Sequence, residues 1–297
     1  MRRASNAGFF LLPASLLILF FFLIPVAATL LLSMTDLSTA TFSRPSWVGV
    51  GNYLDLLRSR WTGLILRNTA QYVLLVLLFN VGMGLFLAIT TSLLPERLGD
   101  SIRAVWLVPR ITPPVVYILI WQAMLSEAPY GLLSTLTGTS RNWLSGFPWH
   151  AVILANGLIG ASLGMLIFTS AIHTIPPDLF YAAAIDGATT WQTIRRVVLP
   201  LLRWPILFVT AYQTLSLLTS FEYILLLTDG GPGLYTTEVW ALSAYHLAFS
   251  NYYGNARFGL GAAMAAVLVI IGIVVSVAYL RGFRFRELVQ EPRVEVT

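Results

Sequence analysis

The sequence TAQYVLLVLLFNVGMGLFLAITTSL, residues 69–93, contains no charged side chain. About 20 predominantly apolar residues in a helix cross the ~30 Å hydrocarbon core of a bilayer. This run is long enough to do so, and it therefore predicts a transmembrane helix.

Five further runs of the same kind lie on either side of it, over residues 9–33, 104–125, 151–172, 206–227 and 259–280. Repeated runs of this length indicate an all-α, polytopic membrane protein. We expect six transmembrane helices in a single membrane domain that covers residues 1–297. The first run follows two arginines, as a signal peptide would, but it has no clear small-residue cleavage site, so we expect a retained helix.

The composition agrees with a membrane protein, since 57% of the residues are hydrophobic, 10% are charged and the mean hydropathy is +0.77. Soluble domains carry about 25% charged residues. The pI of about 9.7 does not indicate nucleic-acid binding, because the basic residues are spread thinly at the ends of the predicted helices. The chain has no cysteine, which excludes disulfides, thiol catalysis and thiolate metal sites.

The arginines predict the orientation of the chain, because cytoplasmic loops of membrane proteins carry an excess of basic residues. Eleven arginines lie on one side of the predicted spans: Arg2, Arg3, Arg97, Arg103, Arg195, Arg196, Arg203, Arg281, Arg284, Arg286 and Arg293. Six lie on the other: Arg44, Arg58, Arg60, Arg67, Arg141 and Arg257. We therefore expect a multi-pass protein of the plasma or inner membrane with both termini in the cytoplasm.

One predicted cytoplasmic loop, residues 175–205, has a pattern of its own. Pro176 and Pro177 can open a helix, and Asp178 lies where the helix dipole favours a carboxylate. Residues 181–185 predict a short helix with three alanines, which Gly187 can end in a left-handed conformation. A second short helix is expected over residues 190–198.

The second helix of this loop would carry Trp191, Ile194 and Val198 on one face, and Pro200 and Pro205 would break the chain before the fifth span. Two short helices with small side chains make a compact knob that can dock into a groove of a partner. An ordinary connecting loop is the alternative interpretation.

The loop resembles that of a known family. Its residues Ala182-Ala183-x-x-Asp186-Gly187-Ala188, followed by Leu199-Pro200, are similar to the coupling loop in permease subunits of binding-protein-dependent ABC importers. The resemblance extends over nearly the whole chain and is greatest to sugar-importer permeases of the maltose, trehalose and glycerol-3-phosphate type. The supporting pieces are WVGVGNY at 47–53, NT at 68–69, RAVWLVP at 103–109, NWL at 142–144 and TDGGP at 228–232. The last piece is typical of the first of the two permeases in such importers.

The resemblance implies the fold of a type I ABC importer permease with a cytoplasmic coupling helix. It implies two ABC ATPase subunits, a second homologous permease and an extracytoplasmic substrate-binding protein as partners, with ATP and Mg on the ATPases and no cofactor on this chain. The residues that it assigns to the ATPase-coupling loop are Tyr181, Ala182, Ala183, Asp186, Gly187, Ala188, Leu199 and Pro200. The family usually has Glu at the position of Tyr181, so Arg195 and Arg196 are alternative contacts, or they serve topology alone.

Polar residues inside the predicted spans mark a candidate pathway. Glu222 lies on a run with Gln213, Ser216 and Ser220, and the spacing allows at least three of the four to share a helix face. The resemblance places Asn156, Gly160, Gln213 and Ser220 at a sugar site in the fourth and fifth spans. Polar residues also join helices together, which is the alternative role for each of them.

No Walker loop, metal-ligand spacing or catalytic triad is present, so we expect neither an enzyme nor a metal site. A secondary transporter would show an ion relay and paired repeats, but apart from Glu222 and Arg110 few charged residues lie in the spans, and no clear repeat is present. A membrane enzyme would show clustered catalytic groups near an interface, and the sequence has none. The expected substrate is a neutral di- or oligosaccharide. A phosphorylated polyol such as glycerol-3-phosphate is the second choice, because it would need a basic residue such as Arg110 in the cavity, whereas Glu222 argues against an anion.

Overall fold

The computed structural model describes residues 3–249 and 254–282, with side chains from Leu11 onward, and this part of the chain contains helices but no strand. One isolated antiparallel bridge joins Thr35 and Trp47. The arginines of the orientation argument at positions 2, 284, 286 and 293 lie outside the described residues.

Sixteen α-helices are described. In chain order they are α1 (Arg3–Ile18), α2 (Ile24–Leu32), α3 (Gly51–Arg58), α4 (Thr62–Leu93), α5 (Glu96–Ile111), α6 (Pro114–Leu125), α7 (Leu132–Thr137), α8 (Trp143–Gly146), α9 (Pro148–His173), α10 (Pro177–Ile185), α11 (Thr190–Thr193), α12 (Leu199–Leu201), α13 (Arg203–Thr219), α14 (Glu222–Leu227), α15 (Trp240–Ala248) and α16 (Phe258–Gly282). Two π-helical turns, Leu19–Leu23 and Ile194–Val198, connect α1 to α2 and α11 to α12.

Four helices among the described residues are long and apolar enough to cross a membrane, namely Leu11–Leu32, Thr62–Leu93, Pro148–His173 and Phe258–Gly282. They coincide with the predicted spans at residues 9–33, 69–93, 151–172 and 259–280. Helices α5 and α6 give a fifth crossing if they are counted as one bent span.

The third predicted span, residues 104–125, is not one straight helix. Helices α5 and α6 are bent by 97° at the break between Ile111 and Pro114. Thr112 has an extended ψ of 136°, which is the conformation that a following proline imposes on its neighbour. The two prolines at 113 and 114 therefore end α5 and start α6 in a new direction.

The fifth predicted span, residues 206–227, is also interrupted. Helix α13 has 17 residues, so it reaches only about 25 Å. Ser220 is extended and Phe221 is non-helical before α14 begins at Glu222. The hydroxyl of Thr219 donates to the Ser216 carbonyl at 3.1 Å, and such local side-chain bonds compete with helix continuation.

The chain folds into two compact units. The first runs to Ile65 and resumes over Trp240–Ile271, and the second covers Leu66–Val239 and resumes at Gly272. The single-domain boundary of 1–297 stays a prediction.

In the first unit, the end of α2 is bound to α3. Asn52 is buried and its Nδ2 donates to the carbonyls of Ser33 and Thr35, each at 2.8 Å. The Tyr53 hydroxyl lies 2.6 Å from Ser33 Oγ. The Asn52 amide therefore satisfies two backbone carbonyls that directly follow the end of α2 at Leu32.

In the second unit, α4 and α9 approach closely through small residues. A Cβ on Gly84 would lie 2.9 Å from the Ala161 carbonyl oxygen and 3.0 Å from the Cα of Gly164. Small residues let helix backbones meet in a membrane, where packing replaces the hydrophobic effect as the driving force. Nearer the predicted cytoplasmic end, one apolar cluster contains Ala88, Phe168, Ile172, Ile175, Val198, Leu202 and Val209.

Candidate functional site

A polar contact joins three elements inside the second unit. Tyr72 of α4 is fully buried, and its hydroxyl accepts a hydrogen bond of 2.6 Å from Asn156 Nδ2 of α9. The same hydroxyl lies 3.3 Å from Ser220 Oγ, at the end of α13. The Tyr72 hydroxyl therefore links two helices to the break in the fifth predicted span.

A second polar contact joins the same three helices at another level. The side-chain amides of Asn80 in α4 and Gln213 in α13 are in hydrogen-bond contact with each other, and Gln213 Nε2 donates to the Gly160 carbonyl of α9 at 3.2 Å. Asn80 and Gln213 are both buried. A Cβ on Gly160 would meet the Asn80 amide, with Oδ1 only 2.5 Å away, so glycine is required for this close approach.

The structure brings four of the six predicted cavity residues into these two contacts, which are Asn156, Gly160, Gln213 and Ser220. These contacts show that joining the helices is one role of these residues. Contact with a substrate stays a prediction for all six.

The other two residues, Ser216 and Glu222, are exposed. The expected shared helix face of the fifth span is wrong for Ser220 and Glu222, because α13 ends at Thr219 and Glu222 begins the separate helix α14. Because of this break, the Glu222 carboxylate does not follow the helical arrangement of the polar side chains of α13.

Sequence reasoning missed Tyr72 and Asn80 as members of the site. Both lie in the apolar run 69–93, where Asn80 is a polar side chain within a long stretch of aliphatic ones. A buried amide at membrane depth needs hydrogen-bond partners, and this signal alone would have marked Asn80. The tyrosine gave no such signal, since tyrosine is common in membrane helices at interfaces.

The two helix breaks carry charged residues at a depth that the predicted spans place within the membrane. Arg110 lies at the end of α5 and Glu222 at the start of α14, and both side chains are exposed. The phenol of Tyr223 is within electrostatic range of both charges and of Tyr117. A charge at this depth is costly unless it reaches water or a partner. The region combines aromatic rings, hydroxyls, a carboxylate and a guanidinium.

The predicted coupling loop contains the first helix as expected. Pro176 is the residue before α10 and Pro177 is its first residue. Gly187 has a left-handed φ of +71°, and the Ala188 N–H donates to the Ala183 carbonyl at 2.9 Å. The left-handed glycine that was expected to end the helix is therefore confirmed.

The second half of the loop differs from the expectation. Helix α11 is only four residues long, and Thr189 and Gln192 form a capping box at its start. A π-helical turn, Ile194–Val198, follows it. The wider turn changes the direction of successive side chains, so Val198 is buried while Trp191 is 66% exposed. The expected common face of Trp191, Ile194 and Val198 is wrong.

The expectation that Pro200 and Pro205 break the chain before the fifth span is wrong. Pro200 lies within α12, and Pro205 is the third residue of α13. In a first turn the missing N–H of proline leaves no helical hydrogen bond unmade. The chain therefore continues into the fifth predicted span with almost no interruption.

The coupling loop has an inner and an outer side. Ile175, Val198 and Leu202 are buried in the apolar cluster with α4, α9 and α13, and Phe180 packs against it. The next residue, Tyr181, is 66% exposed, and Ile185 is 87% exposed. Of the remaining assigned residues, Ala182, Asp186, Gly187 and Pro200 are exposed and Ala183, Ala188 and Leu199 are half-buried.

The first unit contains a separate cavity of about 250 Å³. It is lined by Asp36, Leu37, Ser38, Val48, Gly51, Asn52, Asp55, Asn255, Arg257 and Leu260. Asp36 accepts hydrogen bonds from the Ser46 hydroxyl at 2.7 Å and the Ser46 N–H at 2.6 Å. These bonds, the hydroxyl first, lower the pKa of Asp36 below its ordinary value. Among residues 3–249 and 254–282, no group of three acidic, histidine or cysteine side chains could hold a metal ion.

Comparison with known proteins places these features in one family. Residues 80–284 match the family described as "Binding-protein-dependent transport system inner membrane component". The trehalose/maltose transport system permease protein MalF of Thermococcus litoralis is 30% identical over 296 residues, which cover 96% of each chain. The probable starch degradation products transport system permease protein AmyD of Thermoanaerobacterium thermosulfurigenes is 30% identical over 278 residues, 90% of each chain.

The fold is similar to that of a solved transporter chain. A chain from a bacterial ABC transporter that imports the acidic polysaccharide alginate superposes with a TM-score of 0.79 and 23% identity, and the match covers 98% of each chain. The expectation of a membrane permease fold is confirmed. This chain belongs to the family of inner-membrane components of binding-protein-dependent transport systems.

Proposed function

We propose that this chain forms one half of the membrane pathway of an ATP-driven importer for a di- or oligosaccharide. The observation that carries the proposal is the 30% identity over almost the full length to a trehalose/maltose permease. A second relative at the same identity is named for starch degradation products. As a transport component, the chain is not an enzyme.

The side chains at the helix breaks suit a sugar. A sugar site needs polar groups that fix hydroxyls and an apolar surface for the ring. Ser216 and Glu222 are exposed near the break that ends α13, and Tyr223 adds an aromatic ring beside Glu222. Interrupted helices at membrane depth are typical of substrate sites in transporters, since irregular backbone is tolerated there only where it lines a cavity or is covered by protein.

The buried residues would act differently from the exposed ones. Asn156 and Gln213 use their amide groups in interhelical hydrogen bonds. We therefore assign them a structural role, in which they hold together the helices that line the pathway. A rearrangement of the helices during transport would release these amides toward the substrate. Glu222 and Ser216 are the residues that reach a substrate directly.

Energy comes from two ABC ATPase subunits that dock on the coupling loop, in this proposal, with ATP and Mg on those subunits and no cofactor on this chain. The inner side of the loop is built into the apolar cluster of α4, α9 and α13, so a displacement of its outer side is passed on to these helices. The exposed apolar side chains Tyr181, Ile185 and Trp191 form the docking face. With Tyr181 in place of an acidic residue, the contact rests on shape and apolar area more than on an ion pair.

The remaining partners are a second permease of the same family, which completes the pathway, and an extracytoplasmic binding protein that delivers the sugar. Lipid surrounds the apolar helices. Both termini lie in the cytoplasm, in accordance with the arginine distribution.

Reconstitution tests the proposal. The complex is placed in proteoliposomes with its binding protein, and uptake of labelled maltose, trehalose and glycerol-3-phosphate is measured with and without internal ATP. We expect ATP-dependent uptake of a saccharide. Uptake of glycerol-3-phosphate and of neither sugar would support the polyol alternative. Uptake driven by an ion gradient without ATP would refute an ABC importer.

A further inference from the structure

Helix α3 (Gly51–Arg58) and the residues just before it expose an apolar face that neither the pathway nor the coupling loop uses. Trp47, Val50, Leu54 and Leu57 are exposed. Leu54 and Leu57 share one side of the helix, and Val50, the residue before its first turn, continues that side at a spacing of four. Leu57 is the most exposed of them at 76%, whereas Asn52 and Leu56 on the opposite side are buried.

The position of α3 is fixed at the end of a membrane-crossing helix. The first crossing, Leu11–Leu32, has 22 residues and ends at Leu32, a length that matches the hydrocarbon core at 1.5 Å per residue. Asn52 and Tyr53 of α3 bind the residues that directly follow it, Ser33 and Thr35. The helix is therefore held at the level where the bilayer ends.

The residues that follow α3 also support a position at the end of the bilayer. Only residues 59–61 separate α3 from α4, the second membrane-crossing helix. They include Arg60, whose guanidinium lies 4.6 Å from the ring centre of Trp61. Tryptophan at the end of a crossing helix is typical of the headgroup level of a bilayer.

The charges beside the apolar face match a lipid surface. Arg58 and Arg60 are both exposed, and Arg58 lies on the helix about 70° from the centre of the apolar face, by 100° per residue. Long basic side chains at the edge of such a face reach lipid phosphates while their stems lie on the apolar region. Asp55, the acidic residue of this helix, lies on a different side and lines the cavity of the first unit.

We propose that α3 is an interfacial anchor, whose face of Trp47, Val50, Leu54 and Leu57 lies in the lipid headgroup layer of the leaflet opposite the N terminus. Arg58 and Arg60 bind the phosphates of anionic lipids there. The anchor holds the end of the first crossing helix at a constant depth, through Asn52 and Tyr53.

The absence of cysteine from this chain allows a direct test. The full-length chain carries a single Leu57→Cys substitution and a fluorescent thiol label, in a complex whose partner subunits lack cysteine, within nanodiscs of phosphatidylethanolamine and phosphatidylglycerol. Leu54→Cys is a second probe of the same face. Asp55→Cys is the matched control, since its side chain is exposed on another side of the same helix.

We expect nitroxide lipid labelled near the headgroup to remove most of the fluorescence at positions 54 and 57, and aqueous iodide to leave it unchanged. Position 55 should respond in the opposite way. Iodide quenching at 57 equal to that at 55 would show a solvated helix and overturn the proposal. Protection of position 57 from both quenchers would show that a protein covers the face and would overturn the proposal. Protection from iodide that appears only after the binding protein is added would overturn it for the same reason.

The arginine contribution has its own measurement. The double substitution of Arg58→Gln and Arg60→Gln should reduce lipid quenching at position 57 in nanodiscs that contain phosphatidylglycerol and have no effect in discs of phosphatidylcholine alone. Equal quenching of both proteins in both lipids would refute the proposed phosphate contact.

Discussion

Asn156 Nδ2 donates a hydrogen bond of 2.6 Å to the hydroxyl of Tyr72, and both side chains are buried between α4 and α9. The same hydroxyl lies within hydrogen-bond distance of Ser220, where α13 ends. A residue of the second crossing helix therefore holds the fourth and fifth predicted spans together at the position of a helix break.

Tyr72→Phe removes this hydroxyl and leaves the Asn156 amide buried without its acceptor. A lost partner of a buried polar group costs about 1 to 3 kcal/mol, and interhelical hydrogen bonds in membranes are worth about 0.6 kcal/mol on average. We expect a lower thermal unfolding temperature of the purified complex, measured by differential scanning calorimetry.

The control is Tyr212→Phe, because Tyr212 is an exposed tyrosine of α13. It should leave the unfolding temperature unchanged. Equal stability of the Tyr72→Phe protein and the wild type would show that the contact contributes nothing to helix association.

The long apolar helices could be predicted from sequence because their signal is local and repeated. Length and hydropathy place the ends of the four crossing helices to within three residues, except that α4 begins at Thr62, seven residues before the predicted start. The bend between α5 and α6 was visible in principle, since two adjacent prolines disfavour a continuous helix. The interruption at Ser220 was not, because serine and phenylalanine are tolerated in membrane helices and tertiary contacts decide whether the helix continues.

The candidate site was predicted less completely than the fold. Asn156, Gly160 and Gln213 were selected as polar or small residues within spans. Gly160 and Gln213 do meet each other, whereas Asn156 lies in the other contact, with Tyr72. Their partners Tyr72 and Asn80 lie more than 70 residues away in sequence, and no spacing rule connects them. The coupling loop was predicted from its family pattern, whereas the π-helical turn that ends at the buried Val198 has no signal in the sequence.

Gly160→Ala tests the close approach of α9 to α4 and α13. The new methyl group would overlap the Asn80 amide, which is itself bonded to Gln213. Overpacking of this kind costs about 1 to 3 kcal/mol. We expect reduced thermal stability of the complex and reduced uptake in proteoliposomes.

Gly82→Ala in α4 is the matched control, since a Cβ at Gly82 has no atom within 4 Å. Alanine in a helix is favoured over glycine by about 0.5 to 1 kcal/mol, so this protein should be as stable as the wild type or more so. A similar loss of stability from both substitutions would refute the specific clash.

Glu222→Ala tests the direct role of the carboxylate at the start of α14. The side chain is exposed within the fifth predicted span, and a charge inside a membrane is retained at a cost and is expected to serve function. We expect impaired sugar uptake with normal assembly of the complex, because the hydrogen bond described for this carboxylate is a local one. It comes from the adjacent Phe221 N–H at 3.3 Å and joins no other helix.

Glu127→Ala is the comparison, since Glu127 is an exposed acidic residue in the loop after α6. It should leave uptake unchanged. Normal uptake by the Glu222→Ala protein at normal expression would remove Glu222 from the pathway.

Gly187→Val tests the coupling loop as a lever. Gly187 has φ of +71°, and a Cβ at this position would have no atom within 4 Å, so the effect of a substitution is backbone strain and not a clash. A left-handed conformation costs a non-glycine residue roughly 1 to 2 kcal/mol. In the Gly187→Val protein, we expect the outer side of the loop to turn away from its ATPase partner. The substrate-loaded binding protein should then no longer stimulate ATP hydrolysis.

Gly187→Asn distinguishes the conformation from the side chain, because asparagine enters the left-handed region far more readily than a β-branched residue does. If the turn after α10 positions Tyr181 and Ile185 for docking, asparagine should retain most of the stimulated ATPase activity while valine loses it. Loss in both proteins would mean that the partner requires the bare glycine backbone, and stimulation equal to wild type in both would exclude the loop as the route of coupling. Since Phe180 and Ile175 hold the other side of this loop in the apolar cluster, assembly of the membrane helices should be the same in all three proteins.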